Sequence, residues 1–138
     1  MKHLMLAVAL VALASPAVAG PAGDKAQARI SAIASGKVAD ITAHYTDKST
    51  LHWVGGPLDG TYIGPAQLAD VWSKFAKAQG LLDATVAHVL ESSNANGSTV
   101  VSSIVFTGKN TIKVRYVQMY RNDRLVDEIW QVDPNLSY

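Results

Sequence analysis

The chain contains no cysteine. Disulfide staples, thiol nucleophiles and cysteine-ligated metals are therefore excluded, and stability must rest on a packed core. Charge is sparse as well: 17% of residues are charged, and the only glutamates are Glu91 and Glu128. There is no run of Lys or Arg, and 12 basic residues against 11 acidic ones leave a formal net charge of +1. Such a balance gives nucleic acid no electrostatic footprint to bind. The histidines, His3, His44, His52 and His88, show none of the short spacings of a metal site. A phosphate-cradling glycine loop and a GxSxG serine elbow are also lacking. No metal or other cofactor is expected.

The longest apolar run stands at the start of the chain. Lys2 and His3 precede the apolar stretch Leu4 to Ala14, and Ala17-Val18-Ala19 supplies small residues at −3 and −1 of a cut before Gly20. The stretch is shorter than the roughly 20 residues that a bilayer-spanning helix needs. Residues 1–19 are read as a signal peptide, so an exported protein is expected, periplasmic or extracellular, with no membrane span in the mature chain. Loss of Lys2 would leave 12 − 1 = 11 basic residues against 11 acidic ones. Residues 20–138 suffice for a single domain around one core.

Periodicity divides that domain in two. Asp24 is expected to cap a helix carrying Ala26, Ile30, Ile33 and Ala34, which Gly36 would end. A short second helix follows, with Val38, Ile41 and Tyr45 (or Thr42) on one side. Thr50 to Val54 reads as a short strand, followed by the turn signals Gly55-Gly56-Pro57 and Asp59-Gly60. Gly64-Pro65 opens the clearest helix, where Leu68, Val71, Trp72 and Phe75 form one stripe before Gln79-Gly80. From Leu81 the period becomes two, in β-rich segments at roughly 81–91, 98–107, 111–121 and 124–133 with short turns between them. Helices first and an antiparallel meander after make an α+β fold, with helices on one face of a curved sheet.

This order, with several local strings, resembles the nuclear transport factor 2-like superfamily, which includes SnoaL-like cyclases and ketosteroid isomerases. The strings are Ser35-Gly36-Lys37-Val38-Ala39-Asp40, Tyr45-Thr46-Asp47, Gly60 to Leu68, and Arg121-Asn122-Asp123-Arg124-Leu125-Val126. The resemblance implies a cone-shaped, cystatin-like α+β roll, often with an apolar ligand inside and often paired into dimers through the outer sheet face. Carried over residue by residue, the resemblance does not bring the ketosteroid isomerase machinery with it. The helix tyrosine of the isomerase oxyanion hole falls at Arg29, and the proton-carrying aspartate falls at Trp53, which accepts no proton. The late aspartate falls near Tyr116, or at Val117 with a different gap.

Alternation along the strands then predicts the lining of the cone. Ile112, Val114, Tyr116, Gln118 and Tyr120 share one face of their strand, opposite Lys113, Arg115, Val117, Met119 and Arg121. Glu128, Trp130 and Val132 turn inward on the last strand, with Leu51 and Trp53 on the first and Trp72 and Phe75 on the long helix. The candidate pocket is thus Arg29, Leu51, Trp53, Trp72, Phe75, Tyr116, Gln118, Tyr120, Glu128 and Trp130, suited to a small apolar or aromatic molecule. A buried Glu128 must be paired, hydrogen-bonded or protonated, and Arg29 and Tyr116 are its expected partners. Three functions follow. The first is ligand binding. The second is lyase, isomerase or hydrolase chemistry by Glu128 with Tyr116 and His88. The third is a homodimer or partner contact through Val117, Met119 and Ile129 on the outer face.

Overall fold

The computed structural model describes residues 20–136. The expected signal peptide lies outside the described residues. Helix α1 spans Pro21–Ala34, α2 Val38–Thr42 and α3 Gly64–Gln79, interleaved with strands β1 (Tyr45–Val54), β2 (Gly60–Ile63), β3 (Asp83–Asn94), β4 (Gly97–Thr107), β5 (Thr111–Arg121) and β6 (Arg124–Val132). The strands form one sheet in the order β2-β1-β6-β5-β4-β3. Every pairing is antiparallel except β1 with β6. The mixed helix and sheet content is that of the α+β class read from the sequence.

Local chemistry explains the helix ends, with one departure from expectation. Helix α1 begins at Pro21 behind Gly20, and Asp24 sits in its first turn rather than at its cap. Proline at the start loses no intrahelical bond, so the helix extends back to it. The Glu91 carboxylate of β3 accepts the Gly23 N–H at 2.8 Å, filling the place of a side-chain cap. Beyond α1, Gly36 adopts φ of +68° and lets the chain turn sharply into α2.

Strand β1 differs most from the sequence reading. It starts at Tyr45, expected on the side of the second helix, and not at Thr50. The pairing with β6 slips between Tyr45, opposite Leu125, and Thr50, opposite Asp127. Ser49 spans this irregularity, donating to the Leu125 carbonyl at 2.6 Å while accepting the Thr46 N–H at 2.7 Å. The bulge breaks the alternation by which a strand is recognised.

The core lies between the inner sheet face and the helices. Ala26, Arg29, Ile30 and Ile33 form the buried stripe of α1, and Leu68, Val71, Trp72 and Phe75 that of α3. Along β5, Val114, Tyr116, Gln118 and Tyr120 are buried, with exposed Arg115 and half-buried Val117 and Met119 between them. Each large apolar side chain fully buried here is worth about 1.5–3 kcal/mol. These stripes fix how deep each side chain lies in the cone.

Candidate functional site

The interior holds two separate environments. The deeper is a polar cluster sealed by α1. Arg29 projects from α1 with its side chain 1% exposed, against Glu128 of β6 with its side chain at 0%. Arg29 Nε and Nη2 each lie 3.3 Å from a carboxylate oxygen of Glu128, and Nε also donates to the Tyr116 hydroxyl at 2.8 Å. Tyr45 and Tyr116 donate their hydroxyls to the two oxygens of the same carboxylate. Arg29 reaches the Ile41 carbonyl as well, and Trp72 Nε1 donates to Tyr45 at 2.8 Å.

Each charge in this cluster is therefore answered. Burial alone lowers the pKa of Arg29, but the Glu128 carboxylate and the adjoining phenols outweigh it and hold the guanidinium more firmly protonated than usual. Burial raises the phenols of Tyr45 and Tyr116 well above the ordinary tyrosine range, and the neighbouring carboxylate raises them further. Both remain neutral donors. The cluster joins α1, the start of β1, β5 and β6, with the Arg29 and Glu128 side chains shielded from solvent.

Next to it lies an aromatic layer centred on Trp130. Its ring lies 5.1 Å from that of Trp53, 5.3 Å from Trp72, 5.6 Å from Phe75, 5.4 Å from Phe106 and 5.2 Å from Tyr116. Several pairs are tilted or edge-on, the arrangements that aromatic quadrupoles favour. Trp72, Trp130 and Tyr116 are fully buried, so this layer fills the cone at mid-depth.

The outer end of the cone is open. A cavity of about 660 Å³ has Trp53, Phe75 and Trp130 as its floor. Its walls come from the β1–β2 turn with Pro57 and Leu58, the second half of α3, and Ile112 and Val132. The volume falls in the ordinary range for small-molecule sites, and aromatic walls with few polar groups are their usual composition. Gly56, Pro57, Lys74 and Ala78 are exposed at the rim, so the cavity is reached from solvent.

A family model described as the SnoaL-like domain matches residues 26–127, well over half the chain. The chain belongs to the SnoaL-like domain family. No curated protein matches its sequence. Among solved structures, the SnoaL-like chain is similar to a nuclear transport factor 2-like protein from Pseudomonas putida KT2440. The two share 12% identity with a TM-score of 0.70, over 83% of this chain and 92% of that one. A ketosteroid isomerase-like protein from Erwinia carotovora atroseptica SCRI1043 matches at 17% identity and TM-score 0.62, over 79% and 91% of the two chains. A Nostoc punctiforme protein with a cystatin-like fold matches at 15% identity and TM-score 0.67, over 82% and 89%. At these identities the likeness speaks for the fold.

The residues singled out in the sequence of this SnoaL-like chain do not share one site. Arg29, Tyr116 and Glu128 meet in the sealed cluster, and Leu51, Trp72, Gln118 and Tyr120 are buried away from the cavity wall. Of the expected lining, only Trp53, Phe75 and Trp130 border the cavity. The reason is crowding, since three fully buried aromatic side chains occupy the space that a wider pocket would need.

His88 is not brought to Glu128 or Tyr116. It stands exposed at a bulge in β3, with φ of 54°, and β4 intervenes between its strand and β5. His52 faces outward beside Asp127 at 3.4 Å, on the opposite side of β1 from Trp53. Among the described residues no cluster of three or more His, Asp and Glu could hold a metal ion.

Two participants escaped the sequence reading. Tyr45 is a member of the polar cluster, hidden because its spacing from Val38 and Ile41 also fits a helix. Phe106 stacks on Trp130, and alternation along β4, applied as it was to β5, would have turned it inward with Ile104.

Proposed function

We propose that this SnoaL-like chain is an exported small-molecule-binding protein that takes an apolar or aromatic ligand in the cavity at the open end of its cone. One observation carries the reading: the accessible cavity is floored by Trp53, Phe75 and Trp130, while every strong acid–base group of the interior is paired in a cluster away from it. A ligand there meets aromatic faces, with Lys74 and Lys113 as the charged groups of the wall. Lyase, isomerase or hydrolase chemistry through Glu128 and Tyr116 would require a carboxyl facing that cavity. The test is native mass spectrometry of protein exported and purified in its own host. A retained small apolar molecule supports binding. A chain that arrives empty and gives no saturable binding of apolar dyes argues against it.

Self-association through the sheet is a second reading, favoured by the register of the outer face. Leu90, Val101, Val117 and Ile129 are paired in succession across β3, β4, β5 and β6, forming an apolar row. Leu90 is 67% exposed and Ile129 40%. A homodimer would cover this row, and sedimentation equilibrium decides the point: the mass of one chain at all concentrations rejects it.

Export is supported by the signal-like pattern of residues 1–19. Intact mass of the protein recovered outside the cytoplasm tests it.

A further inference from the structure

We infer that the Glu91 carboxylate is the docking point for the chain's own amino terminus after cleavage between Ala19 and Gly20. The inference rests on the proposed export, and it assigns a role to one of the two glutamates that the ligand site does not use.

The geometry around Glu91 is specific. A Cβ built on Gly20 would lie 2.7 Å from Glu91 Oε1 and 2.8 Å from Oε2, so the carboxylate presses against this glycine. Within any residue the backbone nitrogen is about 2.5 Å from the Cβ position, from standard bond lengths. The Gly20 nitrogen is therefore within about 5 Å of the carboxylate, and rotation about the Gly20 Cα–C bond can close the remainder. Oε2 also accepts the Gly23 N–H at 2.8 Å, and Oε1 accepts the Ser93 hydroxyl at 3.1 Å. Glu91 is thus held facing the first turn of α1 from the inner side of β3, where its register partner is the buried Val100.

While residue 19 is attached, the Gly20 nitrogen is a neutral amide. Hydrolysis of the Ala19–Gly20 peptide consumes one water, leaves the carboxylate on Ala19 and frees an ammonium on Gly20. A positive charge beside a helix N-terminus is unfavourable by itself, because the macrodipole has the same sign there. Glu91 compensates for both. Processing would therefore add an ion pair between the N-terminus of α1 and β3, at the same helix that carries Arg29. Glycine suits the new first residue, since a Cβ there would force the carboxylate aside.

The other charged groups around this end are Asp24 and Lys25 on α1 and Asp123 in the β5–β6 turn. Lys25 is paired with Asp123 at 2.9 Å.

The test starts from the full-length chain, exported and purified, with intact mass defining the first residue. A second form carries one serine inserted between Ala19 and Gly20, which displaces the ammonium by about 3.8 Å. Both forms are made with Glu91 and with Glu91→Gln. Glu91→Gln weakens the Gly23 contact in both, so the informative quantity is the difference between the two effects. The expected result is a first residue of Gly20 and a melting-temperature loss from Glu91→Gln that is about 2–4 °C larger in the unextended form. Equal losses in the two forms overturn the docking while leaving export intact. A first residue other than Gly20 overturns the inference at its root, and an uncleaved chain overturns the proposed export with it.

Discussion

Removing the Glu128 carboxylate perturbs the interior at its most heavily bonded group. In Glu128→Gln the volume is kept, but the anion that faces two Arg29 nitrogens at 3.3 Å is lost. Arg29 stays charged at any working pH, and its side chain is only 1% exposed. Breaking such a buried pair from one side costs about 3–5 kcal/mol, chiefly because the remaining charge is left without compensation. Of the two phenols, Tyr45 and Tyr116, one would keep a neutral amide oxygen as acceptor, while the other would face the amide NH2, which donates and cannot accept. For a domain of this size the loss corresponds to a fall in melting temperature of roughly 10–20 °C.

The double variant Arg29→Met/Glu128→Leu removes both charges and should be more stable than either single variant. Urea unfolding followed by far-UV circular dichroism measures the unaltered protein, Glu128→Gln, Arg29→Met, Glu128→Leu and the double variant. A loss below about 1 kcal/mol for Glu128→Gln, or a double variant that merely adds the two single losses, would refute the assignment of this cluster to stability.

Three further outcomes are expected. Burial pushes the Tyr120 phenol up to about 12 and raises Tyr45 and Tyr116 well above the usual range. Because the folded state holds these protons more tightly, their contribution is full below about pH 10 and lost as pH rises through the folded values. Ultraviolet difference titration should show late phenol ionisation coinciding with unfolding, and complete ionisation near pH 10 in the folded protein would contradict this. Gly64→Ala should cost about 1–2 kcal/mol by thermal melting, since Gly64 has φ of +83° and an added Cβ would meet the Asp47 carbonyl oxygen at 3.3 Å. Ile129→Lys, at a 40% exposed position, should leave the melting temperature of a monomer within about 2 °C but abolish any dimer seen by sedimentation.

Much of the architecture was legible because it depends on period. The stripe Leu68, Val71, Trp72 and Phe75 needs only the helical repeat, and the inward set on β5 needs only alternation. Tyr45 was misplaced where a bulge interrupts that alternation and Ser49 substitutes a side-chain bond for a ladder bond. The candidate site was legible only as a list of inward residues. Whether such residues surround a void or fill it depends on volumes and ring angles, which one-dimensional patterning does not carry. Trp72, Tyr116 and Trp130 fill it, and the void moves outward to Trp53, Phe75, Leu58 and Ile112. Lys74 and Gln79 belong to the wall because the second half of α3 lines the same cavity as the β1–β2 turn.

The location of ligand binding is tested most directly with the neutral apolar dye N-phenyl-1-naphthylamine, excited directly and read by the rise in its own emission, so that an added tryptophan does not alter the signal. Ile112→Trp places an indole in the cavity wall and should weaken dye binding at least tenfold while the protein stays folded by circular dichroism. Tyr120→Phe, altered beside the β3–β4 turn and away from the cavity wall, should bind within about twofold of the unaltered protein. Unchanged binding in Ile112→Trp, or a loss confined to Tyr120→Phe, would contradict the placement of the ligand at the open end.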